Sequence, residues 1–525
     1  MLDLLIRGGL VMDGSGNPGY HGAVGVEGEE LRIFRGDSAV EARRYIDATG
    51  HVVCPGFIDM HSHGGLTILK EPRHEPKVRQ GITTELVGID GNSVAPFKTR
   101  EELQRFIELD SGLNDTAPEG VGWSGVAEYL SHYDGTVAVN IAYILGNSPV
   151  RIWSVGWNDR PATGEELEDM KAVVREAMEE GAFGLSTGLD YPPGAYADTD
   201  ELVELSSVVG AMGGFYHTHT RASLRAQGLL APWEEALDIG RRGGIPVHLT
   251  HYRQNSQGDG SHLDYIGLVE DARAEGMDVT FDCYPYIYSS TRAIISIPNW
   301  TKDGGPERLK EVLTSPDDRA RLKEDMLSGG GRRNPSEGWL TNFKKPHNKQ
   351  YEGHSLTEIA RMRGQHYLDA FFDLLVDDGL GICSVRPGVN GQTLPAFVAH
   401  PFGMVGSDAV LLGDYPSPRT YGCFPVILAE FVRAEKHLRL PEAVRKMTSF
   451  PAQRLGLKSR GLLRDGMKAD VVVFNPDTVK APATAANPKQ FPLGIPYVIV
   501  NGEPVIDGGD HTGATPGRAL RFGRD

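Results

Sequence analysis

The chain has 525 residues, 40% of them hydrophobic, enough to bury a large core with a smaller domain beside it. Its 70 Asp and Glu against 53 Lys and Arg give a net charge of −17, which leaves phosphate backbones and anionic bilayers nothing to be neutralised by and excludes nucleic acid and membrane as expected partners. Four scattered cysteines without a CxxC pair, and no apolar run of about 18 residues, predict a reduced, cytoplasmic protein with no transmembrane helix.

The N-terminal run MLDLLIRGG is interrupted by Asp3 and Arg7, so no signal peptide is expected. Residues 1–56 read as short strands with Gly-rich turns: DLLIRGGLVMDGSG, GAVGVEGEELRIF and RRYIDATGHVVCPGF. Residues 458–525 read the same way, in GMKADVVVFNP, PYVIVNGEPVIDGG and ALRFG. Together they predict one β domain built from both termini. Between them, residues 57–457 alternate strand-like and helix-like runs. The strand candidates are VVCPGFIDMH, ITTELVGID, TVAVNIAYILG, AFGLSTGL, GFYHTH, IPVHLTH, MDVTFDCYPY and FGMVGSD. GEELEDMKAVVREAMEEG and DTDELVELSSVVGAMGG carry apolar residues at helical spacing, each with a capping Thr or Asp near its start. About eight such alternations predict an α/β fold, a (β/α)8 barrel. LGICSVR is a ninth candidate, read as an accessory strand. The stretch from about 290 to 350 breaks the rhythm and reads as an insertion that could form a lid over the barrel mouth.

The chemistry-bearing residues cluster at the strand ends, where a barrel places its active site. In FIDMHSHGG, His61 and His63 are two apart, so a strand points both imidazoles the same way. His217 and His219 lie in GGFYHTHTR, and His248 and His251 in IPVHLTHYR. Strand alternation allows only one of His248 and His251 to face inward. His219 and His251 therefore join His61 and His63 as metal-ligand candidates, with His217 and His248 read as structural. Asp408, in MVGSDAV, could cap a helix. At the last strand end of a barrel holding four histidines it becomes the favoured general base for a metal-activated water.

With these residues in place, LIRGGLVMDGSG, CPGFIDMHSH, AFGLSTGLDYPPG, HTHTR, DVTFDCYPY, VGSDAV, YGCFP and HTGATPGRALR resemble the amidohydrolase superfamily and, within it, the D-aminoacylase (N-acyl-D-amino-acid deacylase) family. The resemblance spans almost the whole chain. It implies a (β/α)8 barrel, a composite β domain, an inserted lid and zinc, as one or two divalent ions. His219 and His251 would hold the tight ion, His61 and His63 a weaker one, and Asp408 would be the catalytic acid/base. Arg253 stands where the family usually has a lysine that helps hold the substrate carboxylate. Tyr191, Tyr284 and Ser290 fall in substrate-contacting segments, where packing at the barrel mouth is the alternative for the tyrosines. Two positions depart from the family. Asp90, in GIDG, occupies the slot of a cysteine ligand, with capping of the next segment as its alternative, and Gly146-Asn147 replaces Gly-His. The implied reaction is deacylation of an N-acyl-D-amino acid, a small-molecule substrate. Another amide, carbamate, urea or cyclic amide is the close alternative, although AFGLSTGL offers no lysine for the cyclic-amide branch. A non-catalytic barrel relative is the remote one. Assembly as a homo-oligomer is left open.

Overall fold

The protein is described by a computed structural model covering residues 1–36, 40–255, 260–329 and 334–525. Eight parallel strands form the barrel in chain order. They are Phe57–Asp59, Ile82–Val87, Asn140–Tyr143 continued by Leu145–Gly146, Gly184–Gly188, Phe215–His219, Val247–Leu249, Val279–Cys283 and Gly403–Val405. Successive strands pair in parallel from the first to the eighth. The eighth returns to the first through the Met60 N–H on the Val405 carbonyl (3.5 Å) and a parallel bridge between Ser62 and Ala409. These strands are buried on both faces, polar side chains such as Glu85, Ser186 and Asp282 included.

Helices cover the outside. Gly164–Glu180 starts on a capping box, Thr163 accepting from Glu166 N–H while the Glu166 carboxylate accepts from Thr163 N–H. Thr199–Ala211 is capped by Asp198. Between the seventh and eighth strands the chain makes a long excursion that contains the stretch expected to be inserted; residues 330–333 of that stretch lie outside the described residues. The excursion holds a three-stranded antiparallel sheet in which Cys383–Pro387 lies between Tyr288–Arg292 and Trp339–Thr341. LGICSVR thus contributes to this sheet and not to the barrel.

The strand-rich ends meet in one ten-stranded sheet among the described residues. The seam is Val52–Pro55 from the N-terminal part, antiparallel to Val471–Phe474 from the C-terminal part. This sheet has its own core, with Leu4, Ile6, Val24, Ile46, Val471 and Ile499 buried together. One expectation is corrected. ALRFG does not join the sheet: Ala519–Leu520 pairs in parallel with the third barrel strand, at Ile141 and Ala142. Leu520 and Phe522 pack there with Phe183 and Phe215, an apolar pocket under the barrel that the sheet could not supply. No helix among the described residues is long and apolar enough to cross a membrane.

Candidate metal centre

The end of the first strand is fixed from behind. Asp59 Oδ1 accepts the backbone N–H groups of His61 (3.1 Å) and Ser407 (2.8 Å), while its Oδ2 accepts from Ser407 Oγ and from the buried Lys77 ammonium. One carboxylate thereby ties the His61-Ser62-His63 segment to the segment carrying Asp408, whose N–H donates to the His61 carbonyl at 2.8 Å.

Five side chains singled out in the sequence converge above it with Asp408. His219 Nδ1 lies 3.0 Å from His251 Nε2 and 3.4 Å from Asp90 Oδ2. His61 Nε2 lies 3.6 Å from both Asp90 Oδ1 and Asp408 Oδ1, and His63 Nε2 lies 3.4 Å from Asp408 Oδ1 and 3.8 Å from Asp90 Oδ2. Ligands at 2.0–2.1 Å from a tetrahedral ion stand about 3.3 Å apart, so these spacings fit a coordination shell. His61 Nε2 and Asp90 Oδ1 are also buried without a hydrogen-bond partner, as expected of atoms reserved for an ion. Asp90 faces both halves: His219 and His251 on one side, His61, His63 and Asp408 on the other.

Three of these residues sit in left-handed backbone: Asp90 (φ 55°), His251 (φ 36°) and Asp408 (φ 48°). This corrects the expectation for the sixth strand. The strand ends at Leu249, so alternation no longer applies at position 251, and the left-handed turn brings His251 to the cluster while His248 is also buried in the barrel. His248 and His217 lie beneath the cluster as a stacked pair, ring centroids 5.2 Å apart. His248 meets Asp282 (3.1 Å) and Thr280 (2.8 Å), and His217 meets the Met60 carbonyl (3.2 Å).

Other groups aim the imidazoles. Asp282 Oδ2 is 3.3 Å from His61 Nδ1, and its Oδ1 accepts the His251 backbone N–H at 2.8 Å. Gly406 permits this approach: a Cβ there would stand 2.8 Å from Asp282 Cγ and from His61 Cβ. Asn114 Oδ1 is 2.8 Å from His63 Nδ1. Burial and the neighbouring His219 push His251 down to about 3, leaving a neutral imidazole. Burial also disfavours charge on His219, yet its contacts with Asp190 and Asp90 raise it to about 9. Against burial, the His61 and His219 imidazoles hold the Asp90 carboxyl well below the usual range. Arg419 and the His61 and His63 imidazoles do the same for Asp408.

The cluster opens into a cavity of about 590 Å³ whose walls include Arg253, Tyr191, Tyr284 and Ser290. Arg253 donates to the Tyr284 hydroxyl and lies 4.1 Å from that ring's centre. Tyr191 bonds Thr291 Oγ1 at 2.9 Å. Asn147 is not on the wall. It donates to the Gly194 carbonyl (3.0 Å), and the next residue's N–H donates to Gly91, so this position supports the turn that carries Asp90.

Sequence reading had not singled out Arg419, Asp190 or Asp282. Arg419 Nη1 lies 2.9 Å from Asp408 Oδ2, and its Nη2 donates to Ser290 Oγ at 3.0 Å. Its guanidinium stands 4.2 Å from the Tyr284 ring, so two arginines share one phenol. The available signal was a charge inside an apolar run, as in DVTFDCYPY, or a lone Arg opening an apolar helix, as in RTYGCFPV.

Comparisons with known proteins place the chain as a whole. The model of the Amidohydro_3 family, described as an amidohydrolase family, matches residues 44–283 and 356–506. The D-aminoacylase of Alcaligenes xylosoxydans xylosoxydans is 34% identical over 99% of this chain and 97% of its own length. A solved D-aminoacylase structure, reported for the functional role of its binuclear metal centre, superposes with a TM-score of 0.82 at 31% identity, covering 99% of this chain and 100% of that one. The N-acyl-D-glutamate deacylase of Bordetella bronchiseptica, solved with zinc and a phosphonate mimic of the tetrahedral intermediate, superposes with a TM-score of 0.81 at 29% identity, covering 99% of each. The parallel barrel, the small β domain and the match along the whole chain make this protein a member of the amidohydrolase family.

Proposed function

We propose that the protein is a zinc-dependent deacylase that hydrolyses an N-acyl-D-amino acid to a carboxylate and a free D-amino acid, acting in the cytoplasm. The observation that carries this reading is the convergence of four imidazoles and two carboxylates, at ligand spacing, on a cavity that Arg253 also lines. Asp90, His219 and His251 would hold a first ion, and His61 and His63 would serve a second. A divalent cation in this donor set supplies Lewis acidity to the acyl carbonyl and to a water molecule.

The remaining work falls to the protein's own groups. Arg419 engages Asp408 Oδ2, which leaves Oδ1, on the imidazole side, to take the proton of the attacking water and return it to the departing nitrogen. Arg253, Tyr284 and Ser290 line one wall, and their donors suit a substrate carboxylate, while Arg419, wholly buried behind it, holds Ser290 Oγ and Asp408. Arg253, with its planar fork, can grip a carboxylate with two bonds where a lysine offers a point charge. Tyr191, beside His219, closes the other side. A hard oxygen donor at position 90 widens the range of acceptable ions, so manganese or cobalt should support turnover beside zinc. Asp90→Ala should lose metal, and Asp90→Cys should regain zinc while losing that tolerance.

The decisive experiment is turnover of a panel of N-acyl-D- and N-acyl-L-amino acids, cyclic amides and carbamates, with elemental analysis of the purified protein. Selective release of D-amino acids by metal-loaded protein is expected. Turnover confined to cyclic amides or carbamates would move the substrate assignment, and inert metal-loaded protein would overturn it. The same preparations run by light scattering would decide whether the enzyme is a homo-oligomer.

A further inference from the structure

Asp190 follows the fourth barrel strand and is buried, 3% exposed, on the cavity wall. Its two oxygens have separate tasks. Oδ2 lies 3.3 Å from His219 Nε2, and Oδ1 accepts the backbone N–H of Ala222 at 3.1 Å. The backbone leaves it little freedom: Gly188 is in register with His219, and Leu189 N–H donates to the His219 carbonyl at 3.0 Å. The Tyr191 ring, 5.0 Å from the His219 ring, braces the imidazole from another side.

A neutral imidazole has one N–H. A carboxylate at Nε2 keeps that proton there and leaves the Nδ1 lone pair facing His251 and Asp90. Without it, the ring could turn over or carry its proton on Nδ1, and either change removes the donor from the cluster. The Ala222 bond extends the effect, because the loop after the fifth strand is pinned by the same carboxylate that orients the strand's last residue. Asp282 stands in the same relation to His61, but it also holds His248 and the His251 backbone, so its removal would disturb several elements at once. Asp190 makes the narrower and more testable case.

We propose that Asp190 is a positioning residue that fixes the tautomer and orientation of His219 and thereby sets the affinity of the first metal position. The inference rests on the reading of His219 as a ligand, and its test separates the two. Metal is stripped from the full-length protein, and zinc affinity is measured by competition with a chromophoric chelator for wild type, Asp190→Ala, Asp190→Asn, His219→Ala and the Asp190→Ala/His219→Ala pair. Asp190→Ala should weaken zinc binding by about 10–100-fold. Asp190→Asn keeps an acceptor oxygen for the Nε2 proton and should lie closer to wild type. On the His219→Ala background, Asp190→Ala should cost nothing more, because its effect runs through that ring. A merely structural Asp190 would show additive losses in the double variant, which would overturn the proposal, as would unchanged affinity in Asp190→Ala beside a weakened His219→Ala. If His219→Ala itself binds zinc normally, the ligand assignment fails and the positioning role falls with it.

Discussion

The β domain and the barrel mouth both depend on left-handed turns, and they fill them differently. In the sheet, positions 8, 28, 36 and 50 are glycines, which adopt positive φ at no steric cost. At the mouth, the same conformation is imposed on Asp90, His251 and Asp408. An L-residue there costs about 1–2 kcal/mol. The sheet shows that the chain has a cheap solution and uses it where only a turn is needed. At the mouth, each strained turn re-aims a side chain that strand alternation would have sent elsewhere. Asn501 is the sheet-side exception, and it too has work for its side chain: it accepts from Arg460 and donates to Asn140 and to the Pro516 carbonyl.

The largest test of this contrast pairs Asp408 with Asn501. Asp408→Asn should leave folded, metal-loaded protein with activity reduced at least ~100-fold, the scale of a lost general acid–base. Asn501→Ala should lower the melting temperature and leave kcat of the folded fraction unchanged. Near-normal turnover in Asp408→Asn would place the proton transfer elsewhere.

Next in size is Arg253 on the cavity wall. Arg253→Ala should raise KM for carboxylate-bearing substrates by about tenfold or more, with little change for neutral amides, since it removes a charge-assisted contact. Equal loss on both classes would make Arg253 a packing residue against Tyr284.

A third test uses protons. With His219 raised to about 9, the metal-free protein carries its proton at neutral pH, and an ion must displace it. Zinc affinity should therefore fall as pH drops below about 9. Calorimetry in buffers of different ionisation enthalpy at pH 7 should show at least about one proton released per ion. Binding without proton release would mean that His219 is neutral before the metal arrives.

The smallest effect isolates the strain itself. In metal-free protein, Asp90→Gly should be more stable than Asp90→Ala by about 1 kcal/mol, because both lose the carboxylate and only one is relieved of its backbone. Gly50→Ala, where open space surrounds the added methyl, should lose a similar amount from torsion alone. Equal denaturation midpoints within either pair would remove the contrast.

What the sequence disclosed follows the same line. Strand-like runs alternating with helix-like runs about eight times, several of them ending in histidines, showed the barrel. His61 and His63 were legible although the strand ends at Asp59, because Ser62 between them still bridges Ala409 in parallel and the segment stays in line with the strand. His251 was placed in the cluster, but the rule that only one of His248 and His251 could face inward failed, because the direction of His251 comes from a left-handed torsion beyond the strand's end, which no periodicity records. Arg419, Asp190 and Asp282 stayed hidden because each acts through a partner distant in sequence. The pairing of Ala519–Leu520 with the third strand was hidden too, since two-residue strands carry no pattern of their own.

That last pairing also orders events in time. Ala519 and Leu520 occupy the flank of Ile141 and Ala142, the Phe522 N–H reaches the Gly181 carbonyl at 3.0 Å, and Arg521 pairs with Asp134 at 2.8 Å. The covering strand is made roughly 380 residues after the strand it covers. At ~5–20 residues per second, the ribosome needs on the order of twenty to seventy seconds between the two. Throughout that interval the third strand has an open edge of unpaired backbone groups in a chain already long enough to collapse. Synthesis rate and chaperone access during that minute therefore belong to the conditions under which this barrel is made.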